Sequence, residues 1–292
     1  MFNKQLKFKF FVCLIISVIG IGSANADIVA KVTDLGLPGK AFLKTGEEIG
    51  FLDKLEHGQS VTLDAAGELT LVYFDSGIEY QYAGPASFIV GVSQPENING
   101  EPQRVKDYKL LEKTGLKLSV DQKHRDQGAL VFRAIDPYPN KVRTLSPNKT
   151  KLLSTDSSFS WASIGDGVSY EFVLTDSFGK IEYQTTVDQN QLQLPTEVTL
   201  KADRNYSWRV RTVQTGTEYV GIAKFELSAE TVSESLSKSR PNITASLSEQ
   251  VVYAMLLEQE GFKYDAYKQW QIMANAKPDN AAVKAKLAEL SE

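Results

Sequence analysis

The side chains that most often carry covalent or metal chemistry are scarce in this sequence: two histidines, His57 and His124, and one cysteine, Cys13. Neither histidine has a second donor at the spacing that would put two ligands on one helix face, so neither reads as a metal ligand. The Gly-x-Ser-x-Gly elbow, the Gly-x4-Gly-Lys-Ser/Thr loop and the Gly-x-Gly-x-x-Gly turn are all missing, which removes the common nucleophile and phosphate-cradle motifs. Glu47, Glu48, Asp53 and Glu56 form an acidic stretch. Glycoside cleavage needs two carboxyls at a set separation, and neighbours along a loop set none, so the stretch reads as a solvated face. No catalytic residue, cofactor or metal is expected.

Flat aromatic rings offer a different chemistry, stacking on the apolar face of a pyranose. Tyr80 and Tyr82 share one side of a predicted strand and are the glycan-stacking candidates, with Tyr73 on the strand before them. Strands are also rich in aromatics simply because they pack well there, and packing is the competing reading.

The elements that must position such residues begin after a leader. Lys4, Lys7 and Lys9 precede an apolar run from Phe10 to Ile21, and Ser23-Ala24-Asn25-Ala26 follows. This is the three-part pattern of a secretory signal, cleaved after Ala26 to leave Asp27 first, and its apolar run is short of the roughly 20 residues a membrane span needs. Cys13 lies within the run and lacks the small residues that precede a lipid-modified cysteine. The expected location is therefore periplasmic or secreted, with no transmembrane segment in the mature chain. Net charge is −4, and the leader holds three lysines without an acid, so the remainder is more negative still. No later lysines or arginines form a run, which argues against a nucleic-acid partner. Without Cys13 the chain has no thiol, so its stability must come from packing.

From Asp27 to 135 short alternating runs dominate. Leu69, Leu71 and Tyr73 fall on one strand face, Asp75-Ser76-Gly77 turns, Ile78, Tyr80 and Tyr82 return, and Gly84-Pro85 breaks the chain before Phe88-Ile89-Val90. Residues 95–102 read as an exposed loop, 105–114 as a short helix, and 128–134 as a buried strand. The order from Ala41 to Val90 resembles the FecR-type periplasmic domain. In transmembrane regulators such domains follow an intracellular tail and a membrane helix. Here a cleavable leader stands instead, which argues against transcriptional signalling by this chain.

Asp136-Pro137-Tyr138-Pro139 marks a boundary, because each proline fixes φ and disfavours helix before it. Beyond it, residues 138–229 hold Ser158 to Trp161, Ser169 to Leu174, Lys180 to Val187, Tyr206 to Val210 and Gly221 to Leu227 as strands. Short strands at this density predict a two-sheet sandwich. The segment resembles a fibronectin type III domain, an immunoglobulin-like architecture: Trp161 stands at its second-strand tryptophan, and Leu200 with Tyr206 at the corner leading into its sixth strand.

Residues 230–245 are serine-rich, show no hydrophobic face and read as a linker. Residues 246–292 read as helices. Ser246-Leu247-Ser248-Glu249 has capping-box spacing, Gly261 ends the first helix, and Ala266, Trp270 and Met273 repeat helically in the second. This resembles one tetratricopeptide repeat with its following helix, although the aromatic normally found near Gln250 is missing. A solenoid needs about three repeats to bury its faces, so the hairpin must dock, self-associate or receive a partner. Tyr253, Leu257 and Tyr267 are the partner-binding candidates on its outward face.

The expected fold class is mainly β with a C-terminal α hairpin. The expected function is a non-enzymatic envelope module binding a protein partner or a peptidoglycan or other glycan. The alternative is a cell-wall or polysaccharide-active enzyme whose carboxylates meet only in the fold.

Overall fold

The computed structural model describes residues 27–36, 38–108, 118, 140–213 and 216–290. The expected leader, His124 and the expected strand at 128–134 lie outside these residues. Two β units and a helical C-terminal region account for nearly all of the described chain.

The first unit packs two antiparallel sheets face to face. One has the order β3-β1-β5-β6-β9, made of Lys54–Glu56, Ile28–Gly36, Glu68–Tyr73, Ile78–Ala83 and Arg104–Asp107. The other has the order β2-β4-β7-β8, made of Ala41–Leu43, Ser60–Leu63, Ala86–Val90 and Pro95–Asn99. Inward residues of both sheets build one core, including Val32, Val61, Leu69, Leu71, Tyr73, Tyr82 and Phe88. The turn between β5 and β6 needs Gly77, whose φ is +66°, a region that costs a residue with a Cβ. Two expectations fail here. Residues 95–99 form an edge strand rather than a loop, because β7 supplies the hydrogen bonds that their polar sequence does not advertise. Residues 104–107 pair with β6 as a strand, and no helix starts at Val105; positions 109–114 lie outside the described residues.

The second unit is a sandwich. Its smaller sheet is β10-β12-β15, made of Thr144–Ser146, Ser158–Trp161 and Gln191–Gln193. Its larger sheet is β11-β17-β16-β13-β14, made of Thr150–Leu152, Val220–Leu227, Arg204–Thr212, Tyr170–Asp176 and Ile181–Val187. Only β11 runs parallel to its neighbour. This is a fibronectin type III-like arrangement. Trp161, Phe172, Trp208 and Phe225 interlock between the sheets, and the Tyr206 hydroxyl accepts from Lys201 N at 2.7 Å and donates to Lys201 O at 3.0 Å. That closes the expected tyrosine corner.

Four helices follow: α1 (Glu230–Lys238), α2 (Leu247–Gln259), α3 (Lys263–Ala276) and α4 (Ala281–Leu290). The Ser246 side chain accepts from Glu249 N at 3.2 Å, capping α2. Gly261, with φ +86°, ends the turn after α2. The segment expected to be a linker holds α1, whose Leu236 is fully buried with α2 and α3. Val232 and Leu236 stand four apart, but two apolar residues among serines and charges are too few to mark a helix face, and only the neighbouring helices decide that Leu236 is the one buried.

Candidate functional site

Where the helices meet the β units, polar side chains converge. Glu79 stands on β6 between Ile78 and Tyr80, which pack on the core, but points the opposite way, and it is 3% exposed. The Tyr108 and Ser248 hydroxyls both donate to its carboxylate. Thr33 Oγ1 of β1 lies 2.7 Å from Ser248 Oγ, and Lys106 pairs with Glu249 in the first turn of α2. Burial, and next the Glu79 charge, push the Tyr108 hydroxyl far above its usual range. Around this polar knot Val72, Phe74, Tyr108 and Val252 form a separate apolar cluster.

The same hairpin grips the second unit. Lys151 N donates to Gly261 O at 2.9 Å, Leu153 N to Asp265 at 3.2 Å and Tyr264 N to Thr150 Oγ1 at 3.2 Å. Burial raises the Asp265 carboxyl, opposed by the Leu153 N–H. Phe51 and Leu52 of the first unit and Leu153 of the second all pack on the helical core. The hairpin is thus an internal clasp between the two β units.

This corrects the expected partner face. Tyr253 and Leu257 are 2% and 1% exposed, because α1 and the β units cover the side that a lone hairpin would show to solvent. Tyr267 is half-buried. The glycan-stacking candidates are corrected too. Tyr82 is fully buried, stacked on Phe88 at 4.5 Å with its hydroxyl on Asn97 at 2.5 Å, and Tyr80 sits edge-on to Tyr73. Neither ring presents a face to a sugar.

His57 is exposed. In the acidic stretch Glu48 pairs with Lys40 at 2.7 Å and Asp53 accepts from Gly50 N at 2.6 Å. Among the described residues no three His, Cys, Asp or Glu side chains are grouped to hold a metal, and no helix is long and apolar enough to cross a membrane.

One surface cavity, of about 630 Å³, opens at the margin of the second unit between the ends of β14 and β15, lined by Ser158, Val187, Asp188, Gln189, Leu192 and neighbouring glutamines. Its side chains offer amide donors and acceptors, one carboxylate and two aliphatic patches. That set suits peptide-like groups.

Sequence reading missed both Glu79 and this margin. One signal for the clasp existed: Leu69 to Phe74 is apolar at both parities apart from Thr70, as a strand covered on both faces should be. The cavity has no such signal, since its residues are ordinary turn and edge residues.

No family model matches the chain, and no curated protein matches it. Among solved structures it is similar to a cytokine receptor complex, at 14% identity and a TM-score of 0.24 over 70% of this chain and 93% of that one. It is also similar to the chicken CNTN1 FN1-FN3 domains, at 8% identity and a TM-score of 0.22 over 69% of this chain and 58% of that one. At such TM-scores neither defines the fold, which follows from the strand order and cores above. The class is a mainly β chain of two units with a C-terminal helical clasp.

Proposed function

We propose that the chain is a non-enzymatic interaction module of the cell envelope that binds a protein partner. One observation carries this reading: the helices bond to both β units at once, through Ser248 to Glu79 on one side and Asp265 to Leu153 on the other. A clasp of this kind holds the loops and edges of two units in one fixed relation, which preorganises a composite binding surface and lowers the ordering cost of association. Exposed apolar residues such as Val92, just before β8, and Ile98 within it are of the type that marks protein contacts when they cluster.

A protein is preferred over a glycan because the tyrosines that would have stacked on sugar are core residues. The hydrolase alternative asks for two carboxyls facing one cleft. The cavity margin supplies one, Asp188, while Glu79 and Asp265 are engaged in the clasp. Export rests on the leader, and the FecR-type resemblance of residues 41–90 supports an envelope role.

The test is photo-crosslinking in cells from Ile98, combined with sedimentation of the purified chain with cell-wall sacculi. Crosslinking to a discrete protein, with the chain left in the sacculus supernatant, supports the proposal. Co-sedimentation with sacculi and no protein adduct overturns it. Mass spectrometry of the envelope fraction should find an N-terminus at Asp27; an intact leader would remove the export premise.

A further inference from the structure

An unpaired strand edge offers a row of backbone donors and acceptors to any other strand, and proteins normally blunt such edges with short strands, charges, proline or a cover. Most edges of this molecule are blunted. β2, β3, β10 and β15 have three residues each. β8 begins with Pro95-Glu96 and meets a register shift at Ser87/Phe88. β9 carries Arg104, Lys106 and Asp107. β11 is short and covered by the Gly261 turn.

β14 differs from all of these. It is seven residues long, is the last strand of its sheet among the described residues, and has one charged residue, Glu182. Its pairing with β13 shifts beside that residue, next to the turn, and leaves Tyr183–Val187 regular. At the turn end stand two large apolar side chains in water, Phe178 in the turn at 82% and Ile181 at the first position of the strand at 54% exposure. At the other end lies the cavity lined by Val187, Asp188 and Leu192.

We infer that β14 is a homodimer interface, pairing antiparallel with β14 of a second copy about a twofold axis at Gln184. A twofold antiparallel pairing centred there sets Gln184 against itself, Tyr183 against Thr185, Glu182 against Thr186 and Ile181 against Val187, so no like charges face each other. One step further, exposed Lys180 of each copy, paired with its own Glu182 at 3.0 Å in the single chain, meets exposed Asp188 of the other, which accepts from its own Ser169, an opposite-charge match made twice by symmetry. Phe178, at the tip of the turn before β14, then lies toward the cavity end of the other copy, where Val187 and Leu192 offer apolar cover. The strand's two ends are complementary to each other, and a second copy is the partner in which both matches occur together. This inference is independent of what else the chain binds.

Cross-linking tests the register directly. The chain from Asp27 onward has no cysteine, since Cys13 lies in the leader. Facing residues of an antiparallel pair have Cα atoms about 4.5 to 5.5 Å apart, within the span of a disulfide. Gln184→Cys should therefore form a disulfide-linked dimer under mild oxidation, while Ile222→Cys, exposed on β17 at the opposite side of the sheet from β14, should not. In sedimentation equilibrium Phe178→Ser should weaken the dimer at least tenfold, with no change in the melting temperature of the dilute, monomeric chain, where that ring is exposed. Lys180→Asp and Asp188→Lys should each weaken it, and the double exchange should restore it. A chain that stays monomeric at millimolar concentration overturns the inference. So does a dimer indifferent to these substitutions, or equal cross-linking from Gln184→Cys and Ile222→Cys.

Discussion

Trp161 is fully buried where the rings of Tyr170, Phe172 and Trp208 converge on it within 6.3 Å. Removing so large a ring leaves a void that a close-packed interior fills only in part, so Trp161→Ala should cost about 3 to 5 kcal/mol, read from denaturation midpoints. A midpoint near wild type would show that the sandwich core does not depend on it. Tyr253 makes a different prediction. Burial pushes its hydroxyl up to about 12 from 10.0, so the native chain holds a proton that the unfolded chain has lost across that window. The unfolded state then binds fewer protons, and stability, complete below the unfolded value, falls as pH rises through the folded one. Tyr73, Tyr82 and Tyr108 are displaced further the same way, chiefly by burial. Urea midpoints stepped across the alkaline range should fall, and Tyr253→Phe should make the slope shallower.

Between β6 and β7, Gly84 lies so close to the neighbouring turn that an added Cβ would fall 1.6 Å from the carbonyl oxygen of Asp64. Backbone must move to admit it, and Gly84→Ala should cost about 1 to 3 kcal/mol in thermal or chemical denaturation, the scale of overpacking. Helix α2 is held at its first turn by Glu79. Glu79→Ala strands the Tyr108 hydroxyl away from water, at about 1 to 3 kcal/mol, while Ser248 keeps Thr33 as its partner. Amide exchange in the first turn of α2 should quicken in this variant, while strands β12 to β17 keep their protection. Uniform acceleration across both β units would show that the knot stabilises the whole chain rather than this joint.

The whole molecule is two β units joined through their helices, and the joint predicts how a truncated chain behaves. Ending the chain near Ser239 would uncover Val72, Phe74 and Tyr108 on the first unit and Leu153 on the second. Circular dichroism should keep its β signature, but small-angle scattering should show a longer maximum dimension, and proteolysis between the units should speed up. An unchanged scattering profile would mean that the β units hold each other without the clasp.

Local chemistry determined much of this. The N-cap at Ser246, the stop at Gly261, the tyrosine corner at Tyr206 and the core strand Leu69–Tyr73 were all legible because each depends on residues a few positions apart, at a period of 3.6 or 2. The mainly β class with terminal helices follows from the same signals. Tertiary structure decided what covers each face. Tyr253 and Leu257 have the pattern of an outward stripe, and Tyr80 and Tyr82 that of a platform, until sheets and helices from distant sequence close over them. Glu79 looks like a solvent-facing strand residue until Ser248, 169 positions away, arrives to bond it. Burial is set by the partner surface rather than by the segment, and a hydrophobic stripe has the same appearance in sequence whether its cover is another chain or the rest of its own.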